Sequence, residues 1–272
     1  MKKTIYILDR NAVSLIKNHN QNKGITDTDL LNELERIDKA ENTITPSFSI
    51  IEGEHGKPQT KKEEIYNVIK KEIGEIRCFF QKAKPDPIIS EKECIEHLID
   101  ILLSNEYKKD ISNQIEFLEK VNEYIYIKVS NNTKKEYKDK ILDAANDYGL
   151  NRRSPIVLCT LLCLYKQDNN TYRKIIKPKE KILKENYFYN AVMDFQHLDM
   201  MIMFGTMLRC VNYNVQFITR DKCLKILFGY YNLDKCSIEE VEGNLLKKEY
   251  QLNSSLLNEI EEEEELKRIY FP

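Results

Sequence analysis

The chain is 272 residues long, 42% apolar and 32% charged, with Lys+Arg 42 set against Asp+Glu 44 for a formal net charge of −2. That composition excludes a disordered tail and a membrane-embedded chain, and leaves room for one large domain or two modest ones. The near-neutral balance also excludes a global pull toward nucleic acid or acidic lipid, so any polyanion must be met by a local patch.

Lys3 to Leu8 is a β-branched and aromatic run that stops at Asp9, Arg10 and Asn11. It reads as a buried strand that presents Asp9 at its carboxyl end. Asp9 and Arg10 also interrupt the apolar start too early for a secretion signal. The longest apolar stretches, Ile156 to Tyr165 and Met200 to Phe204, fall far short of the ~20 residues of a spanning helix, so a cytoplasmic location is expected. Helices follow over Ala12 to Lys17 and Thr26 to Ala40, the second with Leu30, Leu31, Leu34 and Ile37 at helical spacing. Thr43 to Thr45 is a short second strand closed by Pro46, and Ser47 opens a helix that reaches Glu52 before Gly53 and the Gly56-Lys57-Pro58 breaker.

Residues 60 to 189 read almost wholly as helix, with starts at the capping box Ser90-x-x-Glu93 and at Ser154-Pro155. Ile156 to Leu164 is apolar on every face, which predicts a helix buried on several sides. Phe188 to Leu208 is a further apolar helix carrying Asp194, His197 and Asp199. Asn214 to Thr219 returns to strand character, ends in Arg220-Asp221-Lys222 and leads into a helix from Leu224 to Tyr230. The capping box Ser237-x-x-Glu240 predicts a helix over Ile238 to Tyr250, and a last helix is expected from Leu256 to Tyr270 with Glu261 to Glu265 as a solvated face. The seven cysteines form no Cys-x-x-Cys pair and the four histidines show no ligand spacing, which argues against a disulfide framework or a zinc ribbon.

Two strands thus end in an acid that immediately precedes a helix, Asp9 and Asp221. In open α/β sheets ligands bind outside the carboxyl ends of the strands, so these two carboxylates are expected to converge; either one alone also reads as a helix cap. Glu52 follows the second strand, and Asp199 stands in an apolar helix where a charge is costly unless paired or metal-bound. Four carboxylates around one cavity call for a hard cation, Mg²⁺ or Mn²⁺. Asp194, five residues before Asp199, is the alternate third ligand on another helix face. Arg10, Arg220 and Lys222 adjoin the acidic tips as candidates for substrate phosphates, with Lys57, Arg152 and Arg153 as outer contacts.

The series Ile-Leu-Asp9-Arg-Asn11, Thr-Pro-Ser-Phe-Ser-Ile-Ile-Glu52, Leu-Asp199-Met-Met-Ile-Met-Phe-Gly-Thr-Met-Leu and Phe-Ile-Thr219-Arg-Asp221 resembles, in order and context, the four acidic motifs of the PIN-domain nucleases. The resemblance implies a three-layer α/β/α fold with a short central parallel sheet and, in this chain, a large, mostly helical insertion. It divides the chain into 1–59 and 190–236 as the PIN-like core, 60–189 as the insertion and 237–272 as a helical tail. It implies that Asp9, Glu52, Asp199 and Asp221 hold one or two Mg²⁺ or Mn²⁺ ions, with Asn11 and Thr219 orienting ligands or a water. Expected with it are endoribonuclease activity, RNA rather than DNA as partner, and a toxin or defence setting with a protein inhibitor or self-association through the insertion. Three other readings stay open: a catalytically inactive scaffold, a metal-dependent phosphoesterase for small substrates, and an all-helical protein in which the four acids never meet.

Overall fold

The computed structural model describes residues 3–24, 27–52, 61–86, 91–182, 187–209, 213–233, 235–241 and 245–271. Lys57 and Ser90, singled out in the sequence, lie outside the described residues. In chain order the elements begin with β1 (Lys3–Leu8), α1 (Arg10–Asn20), α2 (Thr28–Arg36), β2 (Asn42–Thr45), α3 (Ser47–Glu52) and α4 (Lys62–Phe79). They continue with β3 (Lys84–Pro85), α5 (Lys92–Leu103), α6 (Asn105–Ile125), α7 (Asn131–Asp147), α8 (Pro155–Tyr165) and α9 (Asn170–Ile176). The remainder is α10 (Tyr189–Arg209), β4 (Tyr213–Ile218), α11 (Lys222–Phe228), β5 (Ser237–Val241), β6 (Leu245–Glu249), α12 (Ser254–Glu259) and α13 (Glu264–Tyr270). None of the helices described is long and apolar enough to cross a membrane. The chain divides into two compact units, Met1–Lys108 with Met207–Arg220, and Lys109–Thr206 with Asp221–Pro272. Of the helical block, α4 and α5 thus belong to the first unit and α7 to α9 to the second.

The first unit is built on a four-stranded, all-parallel sheet in the order β3-β2-β1-β4, flanked by helices. Parallel strands need crossover connections and a covered sheet, which the helices between successive strands supply. β1 is the central pairing partner: Ile7 faces Thr45 on one side and Phe217 on the other, and Leu8 faces Ile218. One core cluster joins Leu8, Ile44 and Ile218 of the sheet to Ala12, Val13, Leu15 and Ile16 of α1, Leu30 and Leu34 of α2, and Ile76 of α4. A second cluster packs Ile50 of α3 against Ile65, Ile69 and Ile73 of α4 and Ile95 and Ile99 of α5. β3 was not foreseen; its two residues carry no strand pattern, and Pro85 suits only the sheet edge where it lies. Asp38 fixes the approach to that edge by accepting from the backbone N–H groups of Gln81, Lys82 and Ala83 at 3.1, 2.8 and 2.7 Å.

The second unit is centred on α8, all eleven of whose residues are buried, as its uninterrupted apolar run predicts. α7 and α9 pack on it, and α11 packs on both α8 and α9. The Tyr172 and Tyr230 hydroxyls meet at 2.7 Å. The helix expected over Ile238 to Tyr250 is instead an antiparallel pair, β5 with β6, in the register Ser237↔Glu249 to Val241↔Leu245. Gly243-Asn244 lies between the two strands in sequence, a pair that weakens a helix interior and suits a hairpin connection. The single helix expected over Leu256 to Tyr270 is two, α12 and α13, broken at the start of the acidic run, where successive like charges oppose helix continuation. Glu265 of that run is not simply solvated: it accepts from Lys138 of α7 at 2.7 Å.

Candidate functional site

In the order β3-β2-β1-β4 the strands are laid outward on one side of β1 and then on the other, so the direction of winding reverses between β1 and β4. Such a switch point opens a crevice outside the carboxyl ends of the two strands, where ligands of open α/β sheets bind. The residues that follow these strands are Asp9 and Thr219, and their chains are joined by a bond from the Asp9 N–H to the Ile218 carbonyl at 3.2 Å.

Asp9 is the N-cap of α1, its Oδ1 accepting from the Ala12 N–H at 2.7 Å. Its Oδ2 accepts the Thr219 hydroxyl at 2.6 Å and the Asn11 amide at 3.4 Å. The backbone N–H of Arg220 also supports this carboxylate. Asp9 is 6% exposed and Thr219 1%. Burial nevertheless outweighs these bonds and pushes the Asp9 carboxyl above its ordinary value.

Glu52 ends α3, which Phe48 anchors by an edge-on contact with Phe217 near the carboxyl end of β4, 5.5 Å between ring centres. Burial raises the Glu52 carboxyl most, the Arg10 guanidinium opposes it, and the Asp9 charge raises it further, to about 7. The first unit therefore brings together Asp9, Asn11, Glu52 and Thr219 of the expected set, with Arg10 beside them. Arg10, expected to meet substrate phosphate, donates to Glu72 of α4 at 2.8 Å, and the same Glu72 oxygen accepts from Ser49 at 3.0 Å. Glu72 was missed in the sequence. Its signal was an acid on the buried face of α4 among Ile65, Ile69, Ile73 and Ile76, a position that asks for a charged partner.

The other acids lie in the second unit. Asp221 is the N-cap of α11, accepting from the Cys223 and Leu224 N–H groups at 2.7 and 3.1 Å, the arrangement Asp9 makes on α1. Lys222 is the first residue of that helix and is exposed. Asp199 is engaged by the hairpin: Lys248 Nζ at 2.7 Å and the Tyr250 hydroxyl at 2.6 Å. Asp194 is half-buried, near enough to Cys159 for its charge to help hold that thiol protonated. Arg220, in the first unit, pairs with Asp27 at 2.8 Å, and Arg153 donates to the Tyr270 carbonyl at 3.4 Å.

The donors around Asp9 and Glu52 are oxygens, the set that hard divalent cations prefer. Two buried hydroxyls with no partner among the described residues stand nearby in the chain path: Thr45 ends β2 beside β1, and Ser47 begins α3. Among the described residues no three His, Cys, Asp or Glu side chains gather as a metal-holding group. Two carboxylates nonetheless fit Mg²⁺, which keeps several waters and is commonly held by one or two carboxylates together with substrate phosphates. No protein-family model, no curated protein and no solved structure matches the chain.

Proposed function

We propose that the chain is a Mg²⁺- or Mn²⁺-dependent nuclease, acting on RNA, with Asp9 and Glu52 as cation ligands at the β1–β4 switch point. The observation that carries this reading is a pair of neighbouring, buried carboxylates beside the carboxyl ends of the parallel strands, one of them braced by Thr219 and Asn11. The similarity of the motifs around Asp9, Glu52, Asp199 and Asp221 to those of PIN-domain nucleases adds the reaction class and the preference for RNA. A divalent cation in such a crevice supplies Lewis-acid polarisation of a phosphoryl oxygen and acidifies a bound water. Thr219 and Asn11 hold the Asp9 carboxylate in one orientation, and the Arg10 guanidinium, held by Glu72, is the positive charge that favours ionised Glu52. Asp199 and Asp221 carry the motif similarity in the second unit, where Asp199 is ion-paired with Lys248 and Asp221 caps α11.

The test is cleavage of mixed-sequence RNA and single-stranded DNA with Mn²⁺ and with chelator, by the wild type and by Asp9→Asn. Asparagine caps helices as well as aspartate, so this variant removes the charge and keeps the α1 cap. The expected result is RNA cleavage that chelator abolishes and that Asp9→Asn lowers by about 10²-fold or more, in line with loss of a principal electrostatic group. Undiminished cleavage by Asp9→Asn rejects the proposal.

A further inference from the structure

The chain is close to neutral, so a polyanion needs a local patch, and the second unit has one. An open groove of about 450 Å³ is lined by Asn170, Arg173, Lys174, Lys177, Pro178 and Lys179, four cations and no acid. The acids that flank this stretch in sequence do not answer them: Asp168 is ion-paired with Lys128, and Glu180 is outside the lining. Arg173 serves the fold, its guanidinium forking to the Ile125 and Tyr126 carbonyls at the end of α6, at 2.7 and 2.5 Å. The lysines do not: Lys174, Lys177 and Lys179 are exposed and enter no ion pair among the described residues, and Lys179 rests over the Tyr187 ring at 4.9 Å. Lys177 follows α9 with φ 57°, the left-handed conformation that favours Gly. Its carbonyl accepts from the Tyr187 hydroxyl at 2.9 Å, and Asn122 clasps Lys179 by donating to its carbonyl at 2.7 Å and accepting from its N–H at 3.1 Å. Three like charges thus stand side by side on a fixed backbone, one of them in a conformation disfavoured for lysine. Both features oppose folding, and an anion in the groove relieves the repulsion. α11 packs on α9, and the Lys174 charge reaches the Cys223 thiol together with that of Asp221. Exposed Lys222 begins α11, so the cationic surface runs from residues 177–179 toward the start of that helix.

We propose that this groove holds the phosphate backbone of a single-stranded RNA, with Lys174, Lys177 and Lys179 each neutralising a phosphate. The assignment rests on the nuclease reading for its choice of RNA, and it adds a strand-holding surface made of residues other than the cation ligands. Cationic tips spread along an open groove match a chain of repeated anions. A mononucleotide or a single phosphate asks instead for an enclosing pocket whose donors converge on one point. Contacts of this kind position a strand without reading its bases, so binding at the groove is indifferent to sequence.

The test is fluorescence anisotropy of a labelled, mixed-sequence RNA of about 12 nucleotides, within the span of single-strand sites, titrated with the full chain. Chelator is present, so binding is read without cleavage, and salt is varied from about 50 to 200 mM. The combined variant Lys174→Gln, Lys177→Gln, Lys179→Gln is expected to bind at least tenfold more weakly at the low end of that range. It is also expected to lower the slope of log affinity against log salt by about 2, since each single-strand phosphate contact contributes about 0.7. Lys177→Gly relieves the left-handed backbone, and is expected to hold or raise the melting temperature while lowering the slope by about 0.7. Lys23→Gln, Lys39→Gln and Lys108→Gln together make the same change in net charge at exposed positions outside the groove, and are expected to leave affinity and slope unchanged. No RNA binding by the wild type, equal binding by the groove variant, an equal loss in the control variant, or displacement of the RNA by a poly-glutamate peptide of the same charge at equal concentration overturns the proposal. Groove-dependent binding by a wild type that cleaves nothing with Mn²⁺ supports the groove and rejects the nuclease reading alone.

Discussion

Asp9 accepts bonds from two side chains and from backbone N–H groups, and its carboxyl is still pushed upward, because those bonds do not offset removal from water. Thr219 is the strongest of its side-chain partners by geometry. Thr219→Val, of similar shape, leaves the long Asn11 contact as the only side-chain donor to Asp9 Oδ2 among the described residues. It is expected to cost about 1–3 kcal/mol of stability, the usual penalty for a buried acceptor that loses its donor. Mn²⁺ affinity is expected to fall by about 10- to 100-fold, the usual effect of removing a group that orients a ligand. Calorimetry and denaturant unfolding of the variant check both, and unchanged Mn²⁺ affinity would remove Thr219 from the site. At this scale the sequence was informative where an acid directly follows a buried strand, as at Asp9; after β4 that place is taken by Thr219, and Asp221 caps α11 in the second unit. For Glu72 it holds only the pattern of an acid on the isoleucine face of α4; the partners Arg10 and Ser49 are distant in sequence and come together only in the folded unit.

At the level of elements, the same local device is used twice: a strand, an aspartate cap and a helix, at β1–Asp9–α1 and at β4–Asp221–α11. For α11 the device can be separated from charge. Asp221→Ala is expected to lose about 1 kcal/mol through the cap, whereas Asp221→Asn keeps it. Thermal melts of the two variants give the comparison, and a drop in cleavage with Asp221→Asn alone reports the carboxylate itself. Strands β1, β2 and β4 were legible from short β-branched and aromatic runs closed by polar residues or proline. β3 was not, because two residues, Lys84 and Pro85, hold no periodicity and are placed by Asp38 and by pairing with Thr43 and Ile44. The β5–β6 pair is not legible as strands because its Glu- and Lys-rich sequence favours helix locally, with Gly243 the one residue against it. The surroundings of Asp199 are hidden in the sequence for the same reason, since its partners Lys248 and Tyr250 come from β6 and the residue just after it.

For the whole molecule, the account predicts a pH dependence of stability that is unusual for a carboxylate. Glu52 has an ordinary value of 4.5 and is raised to about 7 in the folded state, so between those values the folded chain binds more protons than the unfolded one. The stability associated with protonated Glu52 is therefore full below pH 4.5 and is lost as pH rises through 7, by about 3 kcal/mol in the absence of a cation. Glu52→Gln is expected to flatten that slope, measured by denaturant unfolding between pH 5 and pH 8. A divalent cation selects the ionised form, so its stabilising effect is expected to grow across the same interval. The central claim, that Asp9 and Glu52 share a divalent cation, is met most directly by calorimetric titration of Mn²⁺ into the full chain at pH 8. Saturable binding by the wild type that Asp9→Asn and Glu52→Gln each weaken at least tenfold, with both variants folded, is the predicted result; wild-type affinity in both variants, or no Mn²⁺ binding by the wild type, contradicts it.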